Sequence, residues 1–131
     1  MKKTITIDSK IENICAIEKM IDEMSDEIKI SSDIYGKILI ATIEAVNNSI
    51  VHGNQLDPNK KVFIEIFFDK PNLHILIADQ GKGFDFTTVP DPTTPENIEN
   101  VSGRGVFLMK RLADNLIFND TGTQVELIFK I

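Results

Sequence analysis

The stretch Glu44-Ala45-Val46-Asn47-Asn48-Ser49-Ile50-Val51-His52-Gly53-Asn54 closes an apolar run that extends from Ile34 to Ile50. That run reads as a buried helix, opened by Ser31-Ser32-Asp33 and ended by Gly53-Asn54. A buried helix carries a carboxylate and two amides only for a reason, because an isolated charge in an apolar setting is costly unless paired or bound. Glu44 and Asn48 are four residues apart and share a face. Either they belong to a buried ion-pair or hydrogen-bond network, or that face looks into a ligand pocket.

Upstream, Lys3 to Ile7 alternates and predicts a short strand. Ser9 followed by Glu12 has the form of a capping box, and Ile14, Ile17, Ile21, Met24 and Ile28 follow at helical spacing. A first helix is therefore predicted from about residue 10 to the high twenties. Cys15 falls in its pattern and reads as a plain buried thiol.

Downstream, Val62, Ile64, Ile66 and Phe68 alternate in a strong strand, and Asp69-Lys70-Pro71-Asn72 is a turn. The next strand places Leu73, Ile75 and Ile77 on one face, and the same parity carries Asp79 to the core side. Asp79-Gln80-Gly81-Lys82-Gly83 then leaves the strand through two glycines. Residues from about 85 to 103 are rich in Thr and Pro and predict a lid with a small helix inside it. Ser102-Gly103-Arg104-Gly105 is expected to open a helix from Val106 to about Ala113. Leu116 to Phe118, the turn Asn119-Asp120-Thr121-Gly122, and a strand with Thr123, Val125, Leu127 and Phe129 on one face complete the chain. About five strands and three main helices, with hairpins between neighbouring strands, predict an α+β class. The expected architecture is a two-layer sandwich, a largely antiparallel mixed sheet with helices on one face.

Composition narrows the function. At 131 residues a single domain, 1–131, with a real core is expected. Twenty acidic against 14 basic residues give a net charge of −6, which opposes binding through a nucleic-acid backbone. One cysteine allows neither an internal disulfide nor a thiolate cage. No apolar stretch reaches membrane-spanning length, and Met1 to Asp8 lacks the features of a leader. A reducing, cytoplasmic location is the expectation.

Singly, these signals are weak. Asp79 could cap a turn, and Gly103-Arg104-Gly105 could be a linker as readily as a phosphate cradle. Their order is more specific: acid and amide on one helix, Asp-x-Gly-x-Gly, a Pro/Thr-rich lid, Gly-x-Gly, then Gly122-Thr123 entering a core strand. This order resembles the GHKL (Bergerat-fold) ATPases, the superfamily of gyrase B subunits, large heat-shock chaperones and sensor histidine kinases. The resemblance covers nearly the whole chain, and there is no Walker pattern. It implies ATP and Mg²⁺ as cofactors. By resemblance Asp79 reads adenine, Gly81 and Gly83 let backbone approach the base, and Thr123 supports the contact. Asn48 is the metal ligand, and Gly103, Arg104 and Gly105 meet the phosphates. Asn47 and Val106 fall in the same binding motifs, Val106 standing where many members have Leu. Glu44 matches the general base.

Neither His52, at a helix end, nor His74, mid-strand, sits in the helix pair of a phosphoacceptor histidine. Glu44-Ala45-Val46-Asn47-Asn48-Ser49-Ile50-Val51-His52-Gly53 with Ser102 to Arg111 looks most like the bacterial anti-sigma factor serine/threonine-protein kinases. That resemblance implies an anti-anti-sigma (STAS-type) protein and a sigma factor as partners, and a homodimer. The alternatives are a nucleotide-sensing module that sequesters a partner without phosphate transfer, and a simple ATP hydrolase.

Overall fold

The computed structural model describes residues 1–83 and 101–131, the side chains of residues 101–104 excepted. Five strands form one sheet: β1 (Lys2–Asp8), β2 (Lys61–Asp69), β3 (Asn72–Ala78), β4 (Asn115–Phe118) and β5 (Gln124–Lys130). Their spatial order is β1-β2-β3-β5-β4, and all four pairings are antiparallel. The expected mixed character is therefore not seen among the described strands. β2–β3 and β4–β5 are hairpins, which needs no parallel crossover. The helices are α1 (Ile14–Ile28), α2 (Ser32–Asn48) and α3 (Val101–Leu112).

Alternation along the strands puts Val62, Ile64, Ile66, Leu73, Ile75, Ile77, Val125, Leu127 and Phe129 on one buried face. Ile17, Ile21 and Met24 of α1 and Ile38, Ala41, Ala45 and Val46 of α2 pack into the same core. A fully buried aliphatic side chain of this kind contributes about 1.5–3 kcal/mol. These positions follow the strand and helix periods anticipated above, and the α+β sandwich is confirmed.

Several local expectations are corrected. Ser9 does not cap α1. Its hydroxyl is buried and donates to the Lys60 carbonyl at 2.7 Å, so the contact across the fold outcompetes the local one. A short 3-10 turn, Ile11–Asn13, precedes α1, and Lys10 takes the cap position without a side-chain bond. Cys15 is exposed. It lies about 200° around the helix from Ile17, on the side away from the buried stripe. Helix α3 begins at Val101, so Gly103-Arg104-Gly105 lies inside it, not ahead of it. Thr123 immediately precedes β5 instead of belonging to it. The expected lid falls mostly on residues 84–100, outside the described residues, and its end, 101–103, belongs to α3.

The end of α2 decides where the site sits. The helix continues into a five-residue π turn, Ser49–Gly53, with the Asn54 N–H closing on the Ser49 carbonyl at 2.8 Å. Such turns recur at functional sites. This one brings the end of α2 against the exit of β3.

Candidate functional site

A cleft of about 500 Å³ of space, open to solvent, lies between the helical layer and the sheet. Asn48, Ser49, His52 and Gly53 line it from the end of α2 and its π turn. Asp79 and Gly83 line it from the β3 exit, and Gly122, Thr123 and Gln124 from the entry to β5. Ile77, Met109, Phe118 and Val125 provide apolar wall. Of the residues named from sequence, Asn48, Asp79, Gly83 and Thr123 therefore meet in one cleft.

The acid at one end is built with care. Asp79 continues the inward parity of Leu73, Ile75 and Ile77, which are fully buried. Its N–H donates to the Thr123 carbonyl at 2.9 Å, which joins the β3 exit to the β5 entry. The Gly81 N–H donates to Asp79 Oδ1 at 2.9 Å. Partial burial holds its carboxyl above the ordinary carboxylate range, while the Gly81 N–H, the Ser49 hydroxyl and the Lys60 charge oppose that rise. A desolvated carboxylate with lone pairs to spare is a strong acceptor for a ligand N–H.

Two glycines make that approach possible. A Cβ on Gly53 would stand 2.5 Å from Asp79 Oδ2, and one on Gly81 would overlap the Gly53 carbonyl. Gly53 was anticipated as a helix terminator, but its φ is not in the left-handed region. What requires glycine there is the carboxylate beside it. Gly83 does adopt positive φ, at 82°. Gly81→Ala is expected to destabilise the fold by about 1–3 kcal/mol through overpacking, read as a lower thermal midpoint. An unchanged midpoint would mean that the π turn and the β3 exit are not interlocked.

Thr123 is held by Asn119. Asn119 Nδ2 donates to Thr123 Oγ1 at 2.9 Å, and Asn119 Oδ1 accepts the N–H groups of Thr123 at 3.0 Å and Gln124 at 3.2 Å. The Thr121 and Thr123 hydroxyls are 2.9 Å apart. Asn119 leaves the Thr123 hydroxyl hydrogen uncommitted, so it can be donated either to Thr121 or to a ligand beside Asp79.

The other end of the cleft holds Asn48, whose Oδ1 is buried with no hydrogen-bond partner among the described residues. An orphaned buried amide oxygen is costly, and it suits a hard cation, which takes oxygen ligands. No cluster of three or more His, Cys, Asp or Glu forms a metal cage among the described residues. A single amide oxygen is a donor of the kind Mg²⁺ accepts when waters and substrate phosphates complete its shell. Gly105 of α3 packs on this point: a Cβ there would lie 2.8 Å from Asn48 Nδ2 and 3.2 Å from Glu44 Oε2. Glu44, Asn48 and the Gly105 backbone thus form one cluster, although Glu44 and Gly105 do not line the cleft itself. None of the ion pairs of the described residues uses Glu44. Asn47 is half-buried beside them, and Val106 is wholly buried in the core. The side chain of Arg104 lies outside what the structure describes.

His74 is engaged elsewhere, with Nδ1 2.9 Å from Glu126 Oε1 and its ring stacked on Phe67. His52, at the helix end expected from sequence, also lines the cleft. Ser49, Gly53, Asn119 and Gln124 were not anticipated as site residues. Their spacing in the Asn48–Gly53 stretch (i, i+1, i+4 and i+5) carries the signal for the first group.

Helices on one face of an antiparallel sheet, with an acid-floored cleft between the layers, define the GHKL class of domain. The chain belongs to the histidine kinase-like ATPase domain family, whose model matches residues 7–129. It is 31% identical over 121 residues to an anti-sigma F factor of Anoxybacillus flavithermus, covering 88% of this chain and 77% of that protein. It is 32% identical over 93 residues to the serine-protein kinase RsbW of Bacillus subtilis, covering 66% of this chain and 58% of that protein. A crystal structure of the RsbU and RsbW domains of Rv1364c from Mycobacterium tuberculosis matches 99% of this chain with a TM-score of 0.68 at 17% identity. This chain spans 32% of that longer one, and the likeness shows the fold alone. No helix of the described residues is long and apolar enough to cross a membrane.

Proposed function

We propose that the protein is an ATP- and Mg²⁺-dependent serine/threonine protein kinase acting as a cytoplasmic anti-sigma factor. Its substrate is a serine of a STAS-type anti-anti-sigma protein, and its sequestered partner is a sigma factor. The observation that carries this reading is the pairing, across one cleft, of a half-buried acid, Asp79, with an orphaned amide oxygen, that of Asn48, which has Glu44 beside it. The names of the two bacterial relatives support the choice of partner.

In this reading Asp79 accepts from the exocyclic amine of ATP, and the Thr123 hydroxyl supports the contact. The N–H groups of Gly103 and Arg104, in the first turn of α3, face the phosphates, and Gly105 brings that helix against Asn48 and Glu44. Asn47 and Val106 contribute backbone at the same motifs. Mg²⁺, when bound, neutralises phosphate charge, and Asn48 is the side chain that holds it. Glu44 takes or orients the proton of the partner's hydroxyl. The hydroxyl oxygen bonds to the γ-phosphorus as the bond to the β–γ bridging oxygen breaks, and ADP departs. β1 lies at an edge of the sheet, where unpaired backbone groups offer a pairing surface for a homodimer.

The test is incubation with ATP labelled in the γ-phosphate, Mg²⁺ and a STAS-type partner. Label on a partner serine or threonine is expected, and bound ATP without transfer would overturn the kinase reading. The position of Glu44 outside the cleft lining favours a second reading, a module that senses nucleotide and sequesters its partner without transfer. Asn48→Ala serves both readings. It should weaken Mg²⁺-dependent ATP binding by about tenfold or more, since outer-shell metal partners alone cost that much. A titration in which ATP affinity still rises with Mg²⁺ as in the parent would remove Asn48 as the ligand.

A further inference from the structure

Asn54 follows the π turn and is completely buried, yet it does not line the cleft. Its Oδ1 accepts the Gln80 N–H at 2.8 Å, the peptide immediately after Asp79. Its Nδ2 donates to Ser9 Oγ at 2.8 Å and to the Lys61 carbonyl at 2.9 Å. The amide oxygen is engaged and both amide hydrogens are spent. One side chain thus ties together the end of β1, the start of β2 and the exit of β3. A second strut meets the same peptide, because Gln80 Oε1 accepts the Lys61 N–H at 2.7 Å.

These ties bear on Asp79. Its N–H is fixed on Thr123 and its carboxylate on Gly81, but neither bond fixes the peptide that follows it. Displacement of that peptide would carry the next N–H, that of Gly81, away from Asp79 Oδ1 and free the carboxylate to turn relative to a bound base. A fully satisfied buried amide resists such displacement, since any movement breaks bonds in a low-dielectric setting. A site that recognises an amine by a fixed acceptor rejects a carbonyl in the same place, because two acceptors would face each other unpaired.

We propose that Asn54 is a positioning residue for base selection: it locks the peptide after Asp79 so that the carboxylate presents one acceptor edge to an amine-bearing purine. This rests on Asp79 being the base-reading acid.

The test compares Kd for Mg-ATP and Mg-GTP, and the thermal midpoint, in the whole chain and three variants. The parent is expected to prefer ATP. Asn54→Ala should weaken ATP binding by about tenfold or more and reduce the ATP/GTP preference by a similar factor. Gln80→Ala removes only the exposed strut and should move both in the same direction by roughly two- to threefold. Ser9→Ala loosens the far end of the network and should lower the midpoint without changing the preference. An Asn54→Ala protein that melts lower but keeps the parental ATP/GTP ratio overturns the proposal, as does a Ser9→Ala protein that loses as much preference. If Asn54→Ala does not fold, Gln80→Ala decides, and an unchanged ratio there overturns it. A parent that binds no ATP overturns the reading of Asp79 itself. That result is distinct from tight ATP binding that Asn54 does not influence.

Discussion

Glu44→Gln is expected to reduce phosphate transfer to the partner by about 10²- to 10⁴-fold, the span usual for loss of a positioned general base. Glutamine has the shape of glutamate, so it fills the same space beside Gly105. Glu44 does not line the cleft, so the ATP dissociation constant should stay at the parental value. The expected pattern is therefore a fall in turnover with binding intact, which marks an interaction made in the transition state. The measurement is single-turnover transfer of the γ-phosphate to the partner, with ATP affinity determined on the same preparations. Transfer at the parental rate would remove Glu44 as the base. Loss of ATP binding in parallel would assign it to nucleotide binding instead.

Asp79→Asn is expected to weaken ATP binding by about ten- to a hundredfold, the worth of a hydrogen bond to a charged acceptor. The substitution keeps an oxygen for the Gly81 N–H but places an amide against the Gly53 backbone and the ligand amine. The free protein should respond in the opposite direction. Burial raises the Asp79 carboxyl pKa above its unfolded value, so the folded state binds its proton more tightly. Stability contributed by the protonated form is present below the unfolded value and is lost as pH rises through the raised one. At neutral pH the ionised carboxylate therefore costs stability, and Asp79→Asn should melt at or above the parental temperature. That difference should shrink as pH falls into the carboxylate range. A variant that melts well below the parent at neutral pH would show that Asp79 is structural. Parental ATP affinity would remove it from the base contact.

Much of this was legible from local pattern. Strand parity alone carried Asp79 to the core side, because Leu73, Ile75 and Ile77 fix which face is buried. The apolar run of α2 made Glu44 and Asn48 conspicuous. What sequence could not carry were pairings across the fold. Ser9 has the local form of a cap, but its hydroxyl finds Lys60, 51 residues away. Gly53 has the local form of a helix stop, yet it is glycine because Asp79 arrives from another strand. Asn54, beside it, likewise read as part of a helix end, and its bonds to Ser9, Lys61 and Gln80 depend on three separate segments. Cys15 shows a different limit. Residues inside a periodic helix are not all on its buried stripe, and one position's offset decides exposure.

One cleft is expected to hold ATP with its base at Asp79 and its phosphates beside Asn48 and Glu44. A crystal structure with a non-hydrolysable ATP analogue and Mg²⁺ tests this most directly. The expected result is the exocyclic amine on the Asp79 carboxylate, the metal on Asn48 Oδ1 and the terminal phosphate facing Glu44. An analogue bound in the reverse orientation, or a metal coordinated without Asn48, would contradict it.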